Sequence, residues 1–304
     1  MAERAQRKRA TRPLIEHAFQ LARELEASTL LVEADPLRGG RTIQSVREEE
    51  RVVWLVRGER EPPVELGRRD RLVRMPELAL TRLSRRHLGL FLSVIHGHVE
   101  QDERVVLLMG SRGSRSLDTL TVADPPEELR WLRSGRWPSK SEPAALHTLA
   151  RVIDLCLRFS SEGREGRSIG TLFVLGSQER LSRHLRQLIL NPMRGHLRRE
   201  RNIQRPELTE TLRELSALDG AFVVSPRGVV ESAGTYVDAR AKNVRLKPGA
   251  GSRHAAAAAI TSVAPATAVV LSESSGTVTV FHEGLPVLEL ETAQRARQRP
   301  RAIE

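Results

Sequence analysis

The chain has 304 residues and a mass of 34.0 kDa, enough for about two domains with a core each, which excludes a small module held together by disulfides or a metal. Its 49 Lys+Arg outnumber its 38 Asp+Glu, giving a formal charge of +11. Lysine occurs only at Lys8, Lys140, Lys242 and Lys247, so 45 of those 49 are arginine, a skew that reads partly as codon bias. Nucleic acid is the partner such a balance first suggests. Aromatic residues make up only 3%, leaving little for base stacking, so any such binding is expected to be nonspecific and salt-dependent.

The single cysteine, Cys156, excludes an internal disulfide and a thiolate metal cage, and its apolar helical neighbours make it a small core residue. The N-terminus MAERAQRKRA has no apolar segment behind it, unlike a secretory signal. The longest uncharged stretch, residues 255–271, is mostly Ala, Ser and Thr interrupted by Pro265, too weakly apolar to span a bilayer. A soluble cytoplasmic protein without a membrane partner is expected.

From Pro13, Leu14, Ala18, Leu21, Ala22 and Leu25 have helical spacing, followed by a strand at 29–32 and a loop carrying Gly39-Gly40. A strand at 52–56, a helix over 78–99 and a strand at 105–109 ending in Gly110 come next. This alternation predicts a Rossmann-like parallel sheet flanked by helices. Turn-formers and charges cluster over 134–143, where a linker is expected.

The second half opens with a helix over 144–159, the polar loop SEGREGRS and a strand at 170–175. The spacing predicts a helix over 180–190 stopped by Asn191-Pro192, then another over 207–218. AFVV and GVVESAG flank Ser225-Pro226-Arg227-Gly228 as a hairpin, and TAVVL, TVTVF and PVLEL close the chain as strands. An α/β fold with a mixed central sheet flanked by helices follows for this half. The ordering is 1–128 for the first domain, 129–143 for the linker, 144–291 for the second domain, and 292–304 for a basic, disordered tail.

Three loops carry candidate chemistry. Gly249-Ala250-Gly251-Ser252-Arg253-His254 precedes five alanines: the glycines let amides approach a ligand, Ser252 is a good N-cap, and the alanines favour helix. Such a start, backed by a guanidinium, suits a phosphate, although an ordinary helix start has the same residues. Nearby Arg240, Lys242, Arg245 and Lys247 suit an anion or a solvated face equally. Asp219-Gly220-Ala221 places a carboxylate between a helix end and a strand, followed by two small residues; a plain Asp-Gly turn is the alternative. Ser272 to Thr277 is a polar inter-strand loop of the kind that lines a nucleotide pocket or merely connects.

Other chemistries are excluded. No Gly-Lys dipeptide occurs, so there is no Walker A loop. Gly110-Ser111-Arg112-Gly113 lacks the full dinucleotide fingerprint. His96-Gly97-His98 has no third ligand at metal-site spacing, and no serine nucleophile elbow is read.

Together, in this order and spacing, LRELSALDGAFVVSPRGVVESAGTYV, GSRHAAAAAIT and VVLSESSGTVTVFHEGLPVLELE resemble the diadenylate cyclase domain. The likeness starts near GREGRSIGTLFVLG and LILNPMRGH. The upstream half looks like the α/β module, similar to the pyruvate kinase C-terminal domain, that precedes the cyclase in the archaeal-type branch.

The resemblance implies condensation of two ATP molecules into cyclic di-AMP. It makes Asp219 the catalytic aspartate and metal ligand, for Mg²⁺ or Mn²⁺, with Gly220 and Ala221 leaving room for the sugar. Gly234, Thr235 and Tyr236 fall where the family lines its adenine and ribose pocket. Gly251, Ser252, Arg253 and His254 match the triphosphate loop, and Ser272, Ser274 and Thr277 the second phosphate-side loop. The widespread bacterial pattern has a second arginine where Ala255 stands and a histidine where Leu218 stands; the archaeal-type branch resembles this sequence at both places. The two-fold symmetry of the product implies a homo-oligomer, at least a dimer, with facing sites. The alternatives are a non-catalytic adenine-nucleotide sensor, or a nucleic-acid-binding protein with a regulatory nucleotide site, suggested by the basic ends around Arg4 to Arg12 and Arg295 to Arg301.

Overall fold

A computed structural model describes residues 2–37, 50–59, 61, 66–100, 102–111, 113, 116–133, 143–240 and 250–293. The loop at Gly39-Gly40, linker residues 134–142, the run holding Lys242, Arg245 and Lys247, and the tail from 294 lie outside the described residues. The chain divides into two compact units, Met1–Glu77 with Arg82–Arg130, and Leu78–Thr81 with Trp131–Glu304. Among the described residues no helix is long and apolar enough to cross a membrane.

The first unit holds α1 (Ala2–Glu24), β1 (Thr29–Glu33), β2 (Arg51–Arg57), β3 (Arg71–Met75), α2 (Arg82–Ile95), β4 (Val105–Gly110), β5 (Leu117–Ala123) and α3 (Pro125–Glu128). Its sheet runs β3-β2-β1-β4-β5, parallel except for β5, which pairs antiparallel at the edge. Strands β1, β2 and β4 read as unbroken apolar runs because both faces of a covered parallel sheet are buried. Ile15, Ala18, Phe19 and Ala22 form one stripe of α1 and pack on Leu30, Val32, Trp54 and Val106. Helix α1 starts eleven residues before Pro13, where the sequence had placed its beginning.

The crevice between β1 and β4, where such sheets often take ligands, is filled by the protein itself. Glu33 pairs with Arg85 at 2.5 Å and accepts the Gly110 amide at 2.9 Å. Arg85 also donates to the Gly110 carbonyl at 2.7 Å.

The second unit contains α4 (Pro143–Glu162), β6 (Thr171–Leu175), α5 (Gln178–Leu181), β7 (Leu185–Gln187), α6 (Leu208–Leu215), β8 (Ala221–Val224), β9 (Val230–Val237), α7 (Ser252–Val263), β10 (Thr267–Leu271), β11 (Val278–His282) and β12 (Leu285–Leu290). The seven-stranded sheet runs β12-β11-β10-β6-β8-β9-β7. Only β6 and β8 are parallel, so the sheet is mixed as the sequence predicts. One face, with Leu172, Val174, Ala221, Val223, Ala268 and Val270, receives α7 through Ala257, Ala258 and Ile260. The other face carries Phe173 and Phe222, stacked at 4.8 Å between ring centroids, and receives α4. Cys156 is wholly buried within α4, and burial pushes its thiol pKa up, which suits a core residue.

One predicted element is corrected. The helix expected over 180–190 is a single turn, α5, then a 3₁₀ turn (Ser182–His184) and the short edge strand β7. Leu181, Leu185 and Leu188 have helical spacing, but the backbone is claimed by a neighbouring strand: Leu185, Arg186 and Gln187 pair with Val237, Tyr236 and Thr235 of β9. Asn191 then fastens the chain to β9, donating to the Glu231 carbonyl at 2.9 Å and accepting the Ala233 amide at 3.3 Å.

Candidate functional site

Register brings the three candidate loops to one edge of the second sheet. Because β6 and β8 are parallel, with Phe173 opposite Phe222, Gly170 and Asp219-Gly220 precede their strands at the same end. Antiparallel pairing brings the ends of β9 and β10 there as well, through Ala221 opposite Thr235 and Thr171 opposite Leu271. Gly234, Thr235, Tyr236 and the loop from Ser272 thus join Asp219, and α7 begins at this edge with Arg253 reaching Gly170.

Asp219 is exposed, and among the described residues its carboxylate has no hydrogen-bond or ion-pair partner. An unclaimed carboxylate is free to take a cation or a proton. Gly220 has φ +104°, and a Cβ there would lie 2.7 Å from the Thr235 amide nitrogen and 2.8 Å from the Gly234 carbonyl carbon. Those are backbone atoms of β9, so only glycine lets the turn lie flat on the strand. Gly234, at φ +62°, would drive a Cβ to 2.6 Å from Ile189. Gly220 therefore serves close backbone packing, and Gly234 makes room for the Ile189 side chain. Ala221 is buried in the core under α7, as a strand residue beside that turn.

Thr235 is buried, and its hydroxyl contacts Ser232 at 2.7 Å and donates to Gln187 at 3.3 Å. Its polar group is used internally, to shape the strand end. Tyr236 faces outward, with the Arg186 guanidinium 5.3 Å from its ring centroid. Gln187 donates to the Ala233 carbonyl at 2.5 Å and to that of Gly234 at 3.3 Å.

Helix α7 is capped by Gly251, with no side-chain cap bond; Ser252 is its first helical residue, not its cap. The Gly251 carbonyl accepts the His254 and Ala255 amides at 3.0 and 3.2 Å. A cap without a side-chain oxygen leaves first-turn amides open to a ligand's oxygens. Among the described residues a Cβ on Gly251 would meet nothing within 4 Å. Arg253 lies 3.3 Å from Glu273, and a Cβ on Gly170 would sit 2.6 Å from its guanidinium. His254 is half-buried with its ring edge-on to Phe281 at 5.9 Å, and desolvation lowers its pKa despite an opposing pull from Glu289. That shift favours the neutral imidazole.

The loop after β10 is a tight turn: the Ser272 amide donates to the Thr277 carbonyl at 2.9 Å, and the Gly276 amide to the Ser272 carbonyl at 2.8 Å. Ser272 and Ser274 hydroxyls are 3.3 Å apart and Ser274 is exposed at the tip. Thr277 is buried and accepts from the Ser275 hydroxyl at 3.0 Å, so it shapes the loop from within. Among the described residues no group of three or more His, Cys, Asp or Glu is arranged to hold a metal.

Sequence reading missed Gly170, Arg186, Gln187 and Ile189. It also passed over the string Gly166-Arg167-Ser168-Ile169-Gly170, which has nucleophile-elbow spacing. That string lies ahead of β6, not on a strand-to-helix turn, so it is no elbow.

The second unit is thus an α/β domain with a mixed sheet, one edge of which carries a carboxylate beside a small-residue turn and the N-terminus of α7 with its guanidinium. Residues 158–285 match the family described as DisA bacterial checkpoint controller nucleotide-binding. A diadenylate cyclase of Methanocaldococcus jannaschii is 32% identical over 194 residues, covering 64% of this chain and 62% of that protein. A diadenylate cyclase of Haloferax volcanii is 34% identical over 154 residues, covering 50% of this chain and 55% of that protein. The chain thus spans about six-tenths of the length of these relatives. The crystal structure of DacA from Staphylococcus aureus is similar at 22% identity and a TM-score of 0.34, covering 49% of this chain and 87% of that one. The family match lies wholly within the second unit.

Proposed function

We propose that this protein condenses two ATP molecules into cyclic di-3′,5′-AMP, releasing two pyrophosphates. The observation that carries the reading is the meeting, at one sheet edge, of the unclaimed Asp219 carboxylate with the open first turn of α7 and Arg253. The curated relatives over this stretch are named as diadenylate cyclases.

The site fits one triphosphate. First-turn amides of α7 and Arg253 take its oxygens, and the Ser272–Thr277 loop closes the phosphate side. Tyr236 and the β9 end face the sugar and base. Asp219, a hard oxygen donor, fits Mg²⁺ or Mn²⁺ with the remaining ligands drawn from the phosphates, a common arrangement for such ions. When bound, the ion supplies charge neutralisation on the triphosphate and eases ionisation of the 3′-hydroxyl.

One site holds one nucleotide, and the product joins each 3′-oxygen to the other nucleotide's phosphorus, so two chains face each other. The 3′-hydroxyl yields its proton toward Asp219, its oxygen bonds to the facing α-phosphorus, and the bond to pyrophosphate breaks. Arg253 and the helix amides stabilise the charge growing on the leaving group. Neutral His254 donates a hydrogen bond without adding charge, and alignment of the two nucleotides lowers the barrier further.

Incubating the pure protein with ATP and Mn²⁺ and separating the nucleotides by chromatography tests this. Cyclic di-AMP is expected. ATP bound but unconverted would favour the nucleotide-sensor reading and overturn the cyclase.

A further inference from the structure

Strand β9 carries an extra residue where it meets β8. Ala221 and Val223 pair with Thr235 and Ser232, so the strand gains a bulge at Ala233-Gly234, with Gly234 at φ +62°. A bulge takes backbone groups out of the ladder, and those groups need other partners. Here a side chain supplies them. The Gln187 carboxamide donates to the Ala233 carbonyl at 2.5 Å and to the Gly234 carbonyl at 3.3 Å, while its oxygen accepts the Thr235 hydroxyl at 3.3 Å. From its place in β7 opposite Thr235, Gln187 therefore spans the bulge through three successive residues.

The Asp219 turn leans on that same stretch. A Cβ on Gly220 would lie 2.7 Å from the Thr235 nitrogen and 2.8 Å from the Gly234 carbonyl carbon, and one on Gly234 would lie 3.7 Å from the Asp219 carbonyl oxygen. The Asp219 carboxylate has no partner of its own among the described residues, so its position comes from the backbone beneath it. We propose that Gln187 is a positioning residue for Asp219: by holding the Gly234–Thr235 peptide it fixes the surface on which the Asp219-Gly220 turn rests. Its carboxamide is spent on the strand, so it acts through the turn and not on the nucleotide. The effect on turnover rests on the cyclase reading, whereas the hold on the turn does not.

Gln187 is exposed, so substituting it takes little from the core. Gln187→Leu keeps the bulk without donor or acceptor, and Gln187→Glu keeps the length and the acceptor for Thr235 but not the donor. Both are expected to cut turnover by about tenfold or more with the ATP Michaelis constant within about twofold of wild type, because a small misplacement costs the chemical step and not the grip. In an Asp219→Asn background each has less than about a twofold further effect, since a residue acting through Asp219 has nothing left to act on. Hydrogen exchange over residues 218–222, read by mass spectrometry, rises about fivefold or more in both while β10 and β11 stay unchanged. Normal turnover in Gln187→Glu, or an equal loss with and without the Asp219 carboxylate, would overturn the proposal. So would exchange that rises across the whole sheet, which marks a merely structural role. If wild type makes no cyclic dinucleotide and exchange still responds only at 218–222, the cyclase reading alone fails. If wild type makes product and exchange at 218–222 does not change, the positioning role alone fails.

Discussion

The Arg253 guanidinium is held 3.3 Å from the Glu273 carboxylate, so the cation that the proposed reaction assigns to the triphosphate is already engaged by a residue of the loop after β10. The pair is solvent-accessible, with side chains 33% and 60% exposed, and an ion pair of that kind contributes about 0.2–1 kcal/mol. A nucleotide phosphate can displace it at small cost. Glu273→Gln is expected to lower the ATP Michaelis constant by about 1.5- to 5-fold, the factor that energy converts to, with turnover little changed. Steady-state kinetics at fixed Mn²⁺ reads this, and a raised Michaelis constant would contradict it.

Asp219→Asn removes a carboxylate at the site edge that has no partner among the described residues. Product formation is expected to fall about 10²–10⁴-fold, as for loss of a general base. The melting temperature should stay within a degree or two, since no described contact is lost. A variant with near-normal output would remove Asp219 from the chemistry.

Gly220→Ala is expected to be a stability mutant first. Its Cβ would press on the backbone of Gly234 and Thr235 at 2.7–2.9 Å and hold an L-residue at φ +104°. Strain of this kind costs about 1–3 kcal/mol. Urea unfolding should show a lower midpoint with an unchanged slope.

The depressed pKa of His254 gives a pH dependence of defined sign. The unfolded chain protonates near the ordinary histidine value of 6.5 while the folded chain resists protonation to lower pH. Stability from this group is present above 6.5 and is lost as pH falls through the folded pKa. His254→Gln cannot titrate, so the melting temperature of wild type should drop further than that of the variant between neutral pH and pH 5. Parallel curves would show that His254 is not desolvated in solution. His87 and His98 in the first unit are lowered in the same direction, so the difference between proteins is the quantity to read.

What could be read from the sequence was whatever its own periodicity decides. Strands β6, β8, β10 and β11 are buried along their whole length and stand out as apolar runs, and the Ser225-Pro226-Arg227-Gly228 turn announces its hairpin. Asp219, Arg253 and Ser274 were singled out because each sits in a segment of distinctive composition. The segment around Gln187 was misread, since leucine spacing alone does not distinguish a helix from an edge strand whose partner lies nearly fifty residues on. Gly170 was invisible for a related reason: its lack of a side chain matters only because Arg253 and Glu273 pass over it. Edge strand β5 escaped because only its ends, Leu117 and Ala123, are fully buried.

Helix α7 meets the sheet through methyl groups, with Ala257 and Ala258 fully buried against it. That layer fixes how far the helix axis stands off the strands, and the first turn inherits the offset. In the proposed reaction, the depth at which a phosphate is gripped relative to Asp219 is therefore gauged little more than one turn away from the grip itself. Any larger side chain in the alanine face would lift the whole lever, so the reach of the chemistry is written into the smallest residues of the core.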